Sequence, residues 1–344
     1  MNLLRFASFF TNLFVCNRLT CCFIFLLLFV GQISGQTFSD NATNYGGSWT
    51  NGSNGGSGFQ TWGLANDGSS AGRFIGNPSV DGMSNTGIGA TSFGMFGHST
   101  QYSYALRNFN SAMAVGDIFS FYWAMNFDCG TSGSKGWELR SGGTNIFGVN
   151  NGNSAVITYN GVATGTVSSN YGTTPMLVTI QRISCDQYAV TITRRSTGEG
   201  TFSTTISSSL AIDNIRIYIG AQQDGAGGRN MYFNAFQIQK PTRYQSRASG
   251  NWGDAAVWQI STDGGTSWSN AVTAPSGTYD IFTILNGHSI TLNSASTASS
   301  LTINSGGTFN NGTGQTITFP CNGIITNNGT FNRNTGTVTF TSTG

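Results

Sequence analysis

The chain has 344 residues, which is enough for two domains that each bury a core of their own. Charged residues make up only 8% of it, whereas 48 residues are glycine. Long soluble helices need Ala, Glu, Lys, Leu and Arg on their faces, so this composition favours strands joined by many turns. The aromatic content of 12% argues against a disordered chain.

The N-terminus has the pattern of an export signal. Arg5 and Arg18 precede an unbroken apolar run over residues 21–30, and small and polar residues follow over 31–36. The apolar run is too short to cross a bilayer, so residues 1–36 are predicted to be a cleaved signal peptide. We therefore expect a secreted or cell-surface protein with no membrane span in the mature chain.

The mature chain is expected to be formally neutral. Loss of Arg5 and Arg18 leaves 13 basic residues against 13 acidic ones. A chain without a basic patch has nothing to neutralise phosphates, so nucleic acid is not an expected partner.

Residues 37–240 show short strands of period two, separated by Gly, Asn and Ser turns, which is typical of an antiparallel β-sandwich. The clearest strand is predicted over 117–127, where alternate residues are large and apolar and would face the core. Further strands are predicted at Met176–Arg182, Tyr188–Arg194, Ile215–Ile219 and Tyr232–Ile238. The tryptophans Trp62, Trp123 and Trp137 are expected in the core.

The second domain is predicted to span residues 241–344, because Pro241 cannot continue a ladder and the composition changes after it. A seven-residue unit occurs three times, at Ile284–Ile290, Ile303–Phe309 and Ile325–Phe331. Repeats of this length predict the first rungs of a right-handed parallel β-helix. Stacking would align Ile303 with Ile325 and Asn310 with Asn332. A second small sandwich is the alternative.

The β-helical pattern stops without a capping element at Thr337–Gly344. Open solenoid ends expose unpaired strand edges, which proteins normally cover. We therefore expect this chain to be the N-terminal part of a longer protein, or a truncated reading frame.

Three cysteines remain after the leader, and their odd number leaves at least one without an intrachain partner. Cys129 and Cys185 lie at the ends of predicted strands in one domain, so a disulfide between them is plausible in an oxidising compartment. Two buried, unpaired side chains are an equally good interpretation. Cys321 is expected to be a packed core residue.

No arrangement of residues predicts catalysis. No Asp or Glu follows Asp280, and the acids of the sandwich, among them Asp128, Asp186 and Glu199, do not alternate along a strand as paired glycosidase carboxylates would. His98 and His288 lie in different domains, far from the spacing of a zinc site. We expect a protein that is not an enzyme and has no catalytic residues.

Carbohydrate binding is the function that remains. A sugar site needs an aromatic platform with polar donors and acceptors on a rigid strand face. The polar sides of neighbouring predicted strands offer Tyr122, Asn126, Glu138, Arg140 and Asn150 as a shallow ligand-binding face. A solvated sheet surface is the alternative interpretation of these five residues.

No cofactor is required by the sequence, although calcium stays open. Asp213–Asn214 and Asp224–Gly225 could supply oxygen ligands from loops. Turn formation explains both pairs equally well.

Two resemblances to known families support this division. The glycine- and tryptophan-rich stretch Trp49–Trp62, with Gly72–Gly76, Gly136–Arg140 and Tyr232–Phe236, resembles lectin-like, concanavalin-type modules at the front of large secreted bacterial proteins. The second domain, through Ser249–Trp252, Ser261–Gly265 and Gly287–His288, resembles the beginning of β-helical segments in secreted surface proteins, many of them type IX secretion clients. The C-terminal sorting domain of such clients has no counterpart here.

These patterns together predict a secreted, non-catalytic surface protein that binds extracellular or cell-surface glycans. One alternative is the ancillary region of a polysaccharide-degrading enzyme whose catalytic part lies beyond Gly344. Another is a structural adhesin without sugar specificity.

Overall fold

The computed structural model describes residues 35–126, 133–152, 154–168, 171–194, 200–220, 230–321 and 323–341. The predicted signal peptide therefore lies almost entirely outside the described residues, as do Phe127, Asp128, Cys129, Glu199 and the pair Asp224–Gly225. Among the described residues, no helix is both long enough and apolar enough to cross a membrane.

The N-terminal part of the described chain is built from antiparallel strands. Its fifteen strands are β1 (Thr37–Asp40), β2 (Phe59–Asn66), β3 (Ala71–Gly76), β4 (Ser92–Gly97), β5 (Tyr102–Phe109), β6 (Ile118–Met125), β7 (Ser134–Ser141), β8 (Thr144–Asn151), β9 (Ile157–Gly161), β10 (Gly165–Ser168), β11 (Met176–Arg182), β12 (Gln187–Thr193), β13 (Thr201–Ser207), β14 (Asn214–Gly220) and β15 (Met231–Gln239). The helical segments here are short 3₁₀ turns at Ala42–Tyr45 and Pro78–Asp81.

These strands form two sheets. One has eight strands in the order β13-β12-β11-β6-β15-β4-β3, with β1 added beside β15. The other has seven strands in the order β10-β9-β8-β7-β14-β5-β2. All of the pairings within them are antiparallel, as the sequence predicts for residues 37–240.

The two sheets pack face to face over a shared aromatic core. Phe121 of β6 lies 5.3 Å, between ring centroids, from Trp137 of β7, and Trp62 of β2 lies 5.3 Å from Phe93 of β4. Trp62, Trp123 and Trp137 are at most 1% exposed, which confirms that they belong to the core. Burial of each such side chain contributes roughly 1.5–3 kcal/mol, so the register of each strand is strongly specified.

The C-terminal part of the chain consists of shorter strands. They are β16 (Arg243–Ser246), β17 (Gly250–Asn251), β18 (Trp258–Ser261), β19 (Ser269–Asn270), β20 (Ile281–Ile284), β21 (Ser289–Leu292), β22 (Ser296–Thr297), β23 (Ser300–Ile303), β24 (Thr308–Asn311), β25 (Thr316–Pro320), β26 (Ile324–Asn327), β27 (Thr330–Asn332) and β28 (Thr337–Thr341). A 3₁₀ turn at Ala255–Val257 precedes β18.

Most of these strands pair in parallel, in three small sheets that we call the C-terminal stack. Strands β16, β20, β23 and β26 follow one another in the first sheet, β17, β21, β24 and β27 in the second, and β22, β25 and β28 in the third. Strands β18 and β19 extend the first sheet through antiparallel pairs. Alternate side chains from all three sheets enter one apolar cluster, which includes Trp252, Leu301 and Phe319.

The register of the stack corrects one predicted alignment. Asn310 pairs with Asn332, as predicted, and the Asn332 side-chain amide donates to the Asn310 side-chain oxygen at 2.8 Å. Ile303, however, pairs with Asn327, and Ile325 pairs with Leu301. The turn between β26 and β27 is two residues shorter than the turn before β24, so the predicted alignment of Ile303 with Ile325 is wrong by two positions.

The apolar clusters of the sandwich and of the stack are separate. The first contains buried residues between Ala42 and Ile238, and the second contains residues between Tyr244 and Phe319. Both parts belong to one compact unit that spans Ile33–Gly344.

A disulfide joins the two parts and corrects the predicted cysteine pairing. Cys185, in the turn between β11 and β12, is bonded to Cys321 after β25, with the two Cα atoms 5.3 Å apart. A cysteine takes only one disulfide partner, so Cys185 is not paired with Cys129 here. Cys321 is 5% exposed, but it is a cross-link and not simply a packed core residue.

Candidate carbohydrate-binding face

The five predicted ligand-binding residues do not form one face. Tyr122 lies on β6 and Asn126 directly follows it, in the eight-stranded sheet. Glu138, Arg140 and Asn150 lie on β7 and β8, in the seven-stranded sheet. Because β6 and β7 are consecutive in the chain but belong to opposite sheets, their outward-facing side chains point away from each other.

The segment 77–91 covers Tyr122 and Asn126. A Cβ atom on Gly87 would come within 2.2 Å of the Tyr122 ring, so the segment lies directly on that ring. The Asn126 side-chain amide donates to the Asp81 carbonyl oxygen at 3.0 Å. Both side chains therefore hold this segment against the sheet.

Asp81 and two apolar residues complete this cover. The Asp81 carboxylate accepts hydrogen bonds from the Tyr232 hydroxyl at 2.6 Å and from the Asn230 amide at 2.8 Å. Burial, with the Asp81 carboxylate as a further cause, raises the pKa of Tyr232. Met83 and Ile88 pack in one apolar cluster with Ala124 and Tyr232. Ala124 is consequently buried, although its alternate position in β6 predicts an outward direction.

Glu138, Arg140 and Asn150 do share a surface, and the structure adds four residues that the sequence analysis missed. We call this surface the tyrosine–arginine face. Its members are the outward-facing residues Tyr102, Tyr104, Glu138, Arg140, Asn150, Arg216 and Tyr218 of the seven-stranded sheet.

Strand register places these side chains next to one another. Tyr218 of β14 pairs with Tyr104 on one side and with Gly136 on the other, and Gly136 pairs with Asn150. Arg216 pairs with Glu138 in the adjacent row. Because directly opposed side chains on one face lie about 4.5–5.5 Å apart, these residues form two neighbouring rows across the sheet.

Aromatic rings and a guanidinium group dominate one half of the face. The rings of Tyr102 and Tyr104 are stacked, with centroids 5.9 Å apart and an interplanar angle of 16°. The Arg216 guanidinium carbon lies 5.6 Å from the ring centroid of Tyr104 and 5.6 Å from that of Tyr218. These are cation–π distances, so the arginine holds the two rings in place.

Charges and amides form the other half. The Glu138 carboxylate lies 3.2 Å from Arg216 Nε and 3.6 Å from Arg140 Nε. The Tyr218 hydroxyl donates to the Asn150 side-chain oxygen at 3.1 Å. Side-chain exposure is 34% for Arg216, 20% for Arg140 and 16% for Glu138, so the groups remain partly accessible while their positions are fixed.

Glycines keep this surface shallow. A Cβ atom on Gly136 would come within 2.9 Å of the Tyr218 hydroxyl, and one on Gly220 would come within 2.2 Å of the Tyr102 ring. The two tyrosines therefore lie across the neighbouring glycine backbone. Larger residues at either position would force the rings to move.

The Tyr104 hydroxyl is partly desolvated and lies near charged groups of both signs. Burial raises the pKa of the Tyr104 hydroxyl, and the Asp67 carboxylate raises it further, while the Arg216 guanidinium lowers it. The hydroxyl therefore stays protonated and can both donate and accept a hydrogen bond near neutral pH.

A signal for the missed residues is present in the chain. Tyr102 and Tyr104 alternate with buried Ser103 and Ala105, and Arg216 and Tyr218 alternate with buried isoleucines. Alternation of this kind shows that they face outward from the sheet. Their meeting with Glu138 depends on β14 lying between β5 and β7, which no local pattern indicates.

Of the two residue pairs considered as calcium ligands, the structure gives Asp213–Asn214 a role in holding a turn. The Asp213 carboxylate accepts hydrogen bonds from the Gly142 amide at 2.9 Å and from the Asn214 side chain at 2.6 Å. Asn214 also donates to the Gly142 carbonyl oxygen at 3.0 Å, so the pair holds the turn between β7 and β8. Within the described ranges, no group of three or more His, Cys, Asp and Glu residues could hold a metal ion.

The remaining polar candidates serve local structure. The Asp186 carboxylate accepts a hydrogen bond from the Ser184 hydroxyl at 2.8 Å. His288 Nδ1 lies 2.8 Å from the hydroxyl oxygen of Ser246, which itself accepts from the Leu285 amide at 2.8 Å. His288 thus helps to hold the turn between β20 and β21.

Comparisons with known proteins give only distant structural similarities. No family model matches the chain, and no curated protein does. Three solved structures illustrate the similarities. The CBM2 module of the evolved Dit of Lactobacillus casei BL23 phage J-1 is 14% identical, with 59% of this chain and 96% of that one covered and a TM-score of 0.35. The exoplasmic/lumenal domain of VIP36 in its Ca²⁺-bound form is 7% identical, with coverage of 52% and 82% and a TM-score of 0.34.

The third structure is the binding domain of botulinum neurotoxin serotype C1. It is 10% identical, with 52% of this chain and 44% of that one covered and a TM-score of 0.30. The present chain thus spans less than half the length of that neurotoxin domain. At these identities and TM-scores, the ligand of this chain has to be inferred from its own residues.

Proposed function

We propose that the chain is an exported, non-catalytic extracellular or cell-surface protein whose sandwich binds glycans through the tyrosine–arginine face. The observation that carries the proposal is the contact of Arg216 with the rings of Tyr104 and Tyr218 on one side and with Glu138 on the other. Sugars bind where an aromatic surface lies beside fixed hydrogen-bonding groups, and this arrangement offers both.

Each part of the face has a distinct role in this proposal. Tyr104 provides the ring on which the apolar side of a pyranose packs. Glu138 and Asn150 provide acceptors for sugar hydroxyl groups, and Arg140 and Arg216 provide donors. Because ion pairs and strand backbones already hold these side chains, little side-chain entropy is lost on binding.

The disulfide supports export. Structural disulfides form and persist in oxidising compartments and are rare in the cytosol. Cys185 and Cys321 are 136 residues apart and lie in different parts of the chain. Such a cross-link fits the predicted signal peptide at residues 1–36.

For the C-terminal stack we propose the beginning of a right-handed parallel β-helix that acts as a spacer. The in-register parallel pairs of Ile290 with Phe309 and of Phe309 with Phe331, all directed into one apolar cluster, support this proposal. Between Ile281 and Gly344 the only charged residue is Arg333, which suits a stalk more than a catalytic cleft.

A glycan array with the chain from Thr37 onward tests the proposed binding. We expect binding to at least one glycan, with Tyr104→Ala and Arg216→Ala each weakening it by about fivefold or more, because Tyr and Arg are enriched among the few contact residues that carry most of a binding energy. Tyr122→Ala is the matched control, because that tyrosine lies under segment 77–91 on the opposite sheet. Absence of binding to every glycan, with and without calcium, would reject the proposal and favour a structural adhesin.

A further inference from the structure

Among the described residues, the buried apolar clusters of the sandwich and of the C-terminal stack do not merge at the joint between them. The buried apolar cluster of the sandwich ends at Ile238, and that of the stack begins at Tyr244. Parts of a chain that meet without a large apolar interface move relative to each other by default. What fixes the stack against the sandwich must therefore lie in individual contacts at the joint.

Contacts at the joint include two polar ones, made by Lys240 and Tyr279. Lys240 Nζ lies 2.6 Å from the Asp117 carboxylate, which is 1% exposed, and so ties the end of the linking segment to the sandwich. The Tyr279 hydroxyl, from the stack, donates to the Ile183 carbonyl oxygen at 2.7 Å. The Tyr279 hydrogen bond contributes only modestly, because hydrogen bonds with water replace it when the joint opens.

The third contact is covalent and lies beside the second. Cys185 follows Ile183 by two residues, and its bond to Cys321 holds the far end of β25 to the turn between β11 and β12. Arg182 stiffens that turn, since its guanidinium group donates to the carbonyl oxygens of Cys185 and Met113, both at 2.6 Å. The disulfide is thus anchored on a rigid turn of the sandwich.

We propose that the Cys185–Cys321 disulfide is a redox-dependent lock that sets the orientation of the stack relative to the sandwich. Reduction by an external dithiol breaks the sulfur–sulfur bond and yields two thiols, while the dithiol gives up two electrons and two protons and closes to its own disulfide. Cys185 is half-buried and Cys321 is 5% exposed, so attack on the Cys185 sulfur is the accessible route.

The lock has a direct consequence for the two parts. In the oxidised chain they behave as one rigid body, which keeps the tyrosine–arginine face at a fixed angle to the stack. In the reduced chain the non-covalent contacts remain, among them those of Lys240 and Tyr279 and the close approach of Gly264 to the Gln36 side chain, and we expect the stack to move about residues 240–242. Neither apolar cluster contains the disulfide, so both parts stay folded.

Small-angle scattering and hydrogen exchange on the chain from Thr37 onward test this inference. We expect a dithiol, and separately the double variant Cys185→Ser with Cys321→Ser, to increase the radius of gyration and to speed amide exchange at Cys321 by about tenfold or more. Cys129→Ser is the matched control and leaves both measurements unchanged.

Two results would overturn the proposal. One is an unchanged radius of gyration and exchange rate after complete reduction of the purified wild-type protein, a measurement that does not depend on how the variant folds. The other is peptide mapping without reductant that finds Cys185 joined to Cys129. Glycan binding is a separate measurement, so failure of the lock and failure of the proposed sugar site are distinguishable.

Discussion

Arg107 Nη2 lies 2.6 Å from the Asp40 carboxylate inside the sandwich, and neither side chain is exposed to solvent. The Tyr45 hydroxyl donates to the same carboxylate, and Arg107 also donates to the side-chain oxygen of Asn54 at 2.6 Å. The guanidinium carbon lies 4.8 Å from the Trp62 ring centroid. This network connects β1 on the eight-stranded sheet with β5 on the seven-stranded sheet, across the core.

Removal of one partner of this ion pair should destabilise the protein strongly. Burial raises the pKa of Asp40 and lowers that of Arg107, while each charge opposes the shift of the other. We expect Asp40→Ala or Arg107→Ala to lower the free energy of unfolding by about 3–5 kcal/mol, because each leaves an uncompensated buried charge. Chemical denaturation of both variants measures the effect.

A double variant separates the ion pair from general packing. Asp40→Ala combined with Arg107→Ala should lower the free energy of unfolding by less than the sum of the two single changes. In the double variant neither charge is left buried without its partner. Arg73→Ala is the control, because Arg73 bonds to Asn66 at the exposed surface, and we expect a change within about 0.5 kcal/mol. Strict additivity of the two single changes would contradict this interpretation of the network.

Because of Asp280, the free energy of unfolding should fall as the pH rises from about 4 to about 6. Burial raises the pKa of Asp280 from 3.8 to about 6, although amide hydrogen bonds from Gly277 and Thr242 oppose the rise. The folded chain therefore keeps this proton where the unfolded chain has lost it, and stability is lost as the pH rises through that range.

Asp280→Asn removes this titration and should gain stability relative to wild type as the pH rises from 4 to 7. The largest relative gain expected from the shift is about 3 kcal/mol. Melting temperatures of both proteins over this range check it, with the exposed Asp254→Asn as control. A constant difference between wild type and Asp280→Asn at every pH would show that Asp280 does not titrate in this range.

Tyr122→Ala should reduce stability without affecting sugar binding. Segment 77–91 packs on the Tyr122 ring at Gly87. Truncation of Tyr122 therefore removes part of the surface on which the segment packs. We expect a loss of about 1–3 kcal/mol in the free energy of unfolding and faster hydrogen exchange over 77–91. If the variant instead loses glycan binding while its stability is unchanged, the site lies on the eight-stranded sheet.

Asn310 and Asn332, whose side chains form a hydrogen-bonded ladder in the C-terminal stack, should differ in how much their substitution lowers the free energy of unfolding. Asn310 donates to the Ser289 hydroxyl at 2.9 Å and accepts from Asn332 at 2.8 Å, whereas Asn332 lies at the exposed end of the ladder. Each hydrogen bond contributes about 0.5–1.5 kcal/mol. Asn310→Ala removes two of these bonds and Asn332→Ala removes one, so Asn310→Ala should lower the free energy of unfolding by about twice as much. Thermal unfolding of the two variants gives the comparison, and a larger cost at Asn332 would contradict it.

Strand positions in the sandwich follow from local alternation. The strand predicted at Met176–Arg182 has the same bounds as β11, and the strand predicted at Ile215–Ile219 lies within β14. Alternation depends only on successive side chains pointing to opposite faces of a strand, so neighbours in the chain are enough to reveal it.

Contacts between distant strands could not be predicted in the same way. Tyr122 and Glu138 are 16 positions apart in numbering and lie on opposite sheets, whereas Glu138 and Arg216 are far apart in the chain and form an ion pair. The pairing of Cys185 with Cys321 crosses from the sandwich to the stack for the same reason. Strand order, and not spacing along the chain, decides which side chains meet.

The sequence by itself determined the all-β class, the apolar side of most strands and the repeating composition of the C-terminal part, because these depend on backbone periodicity and on residue type. The tertiary structure alone decided which polar side chains share a surface, that segment 77–91 covers Tyr122, and that Cys321 closes on Cys185. Those outcomes depend on which strands become neighbours, and that choice is made by burial of the whole core at once and leaves no local mark in the chain.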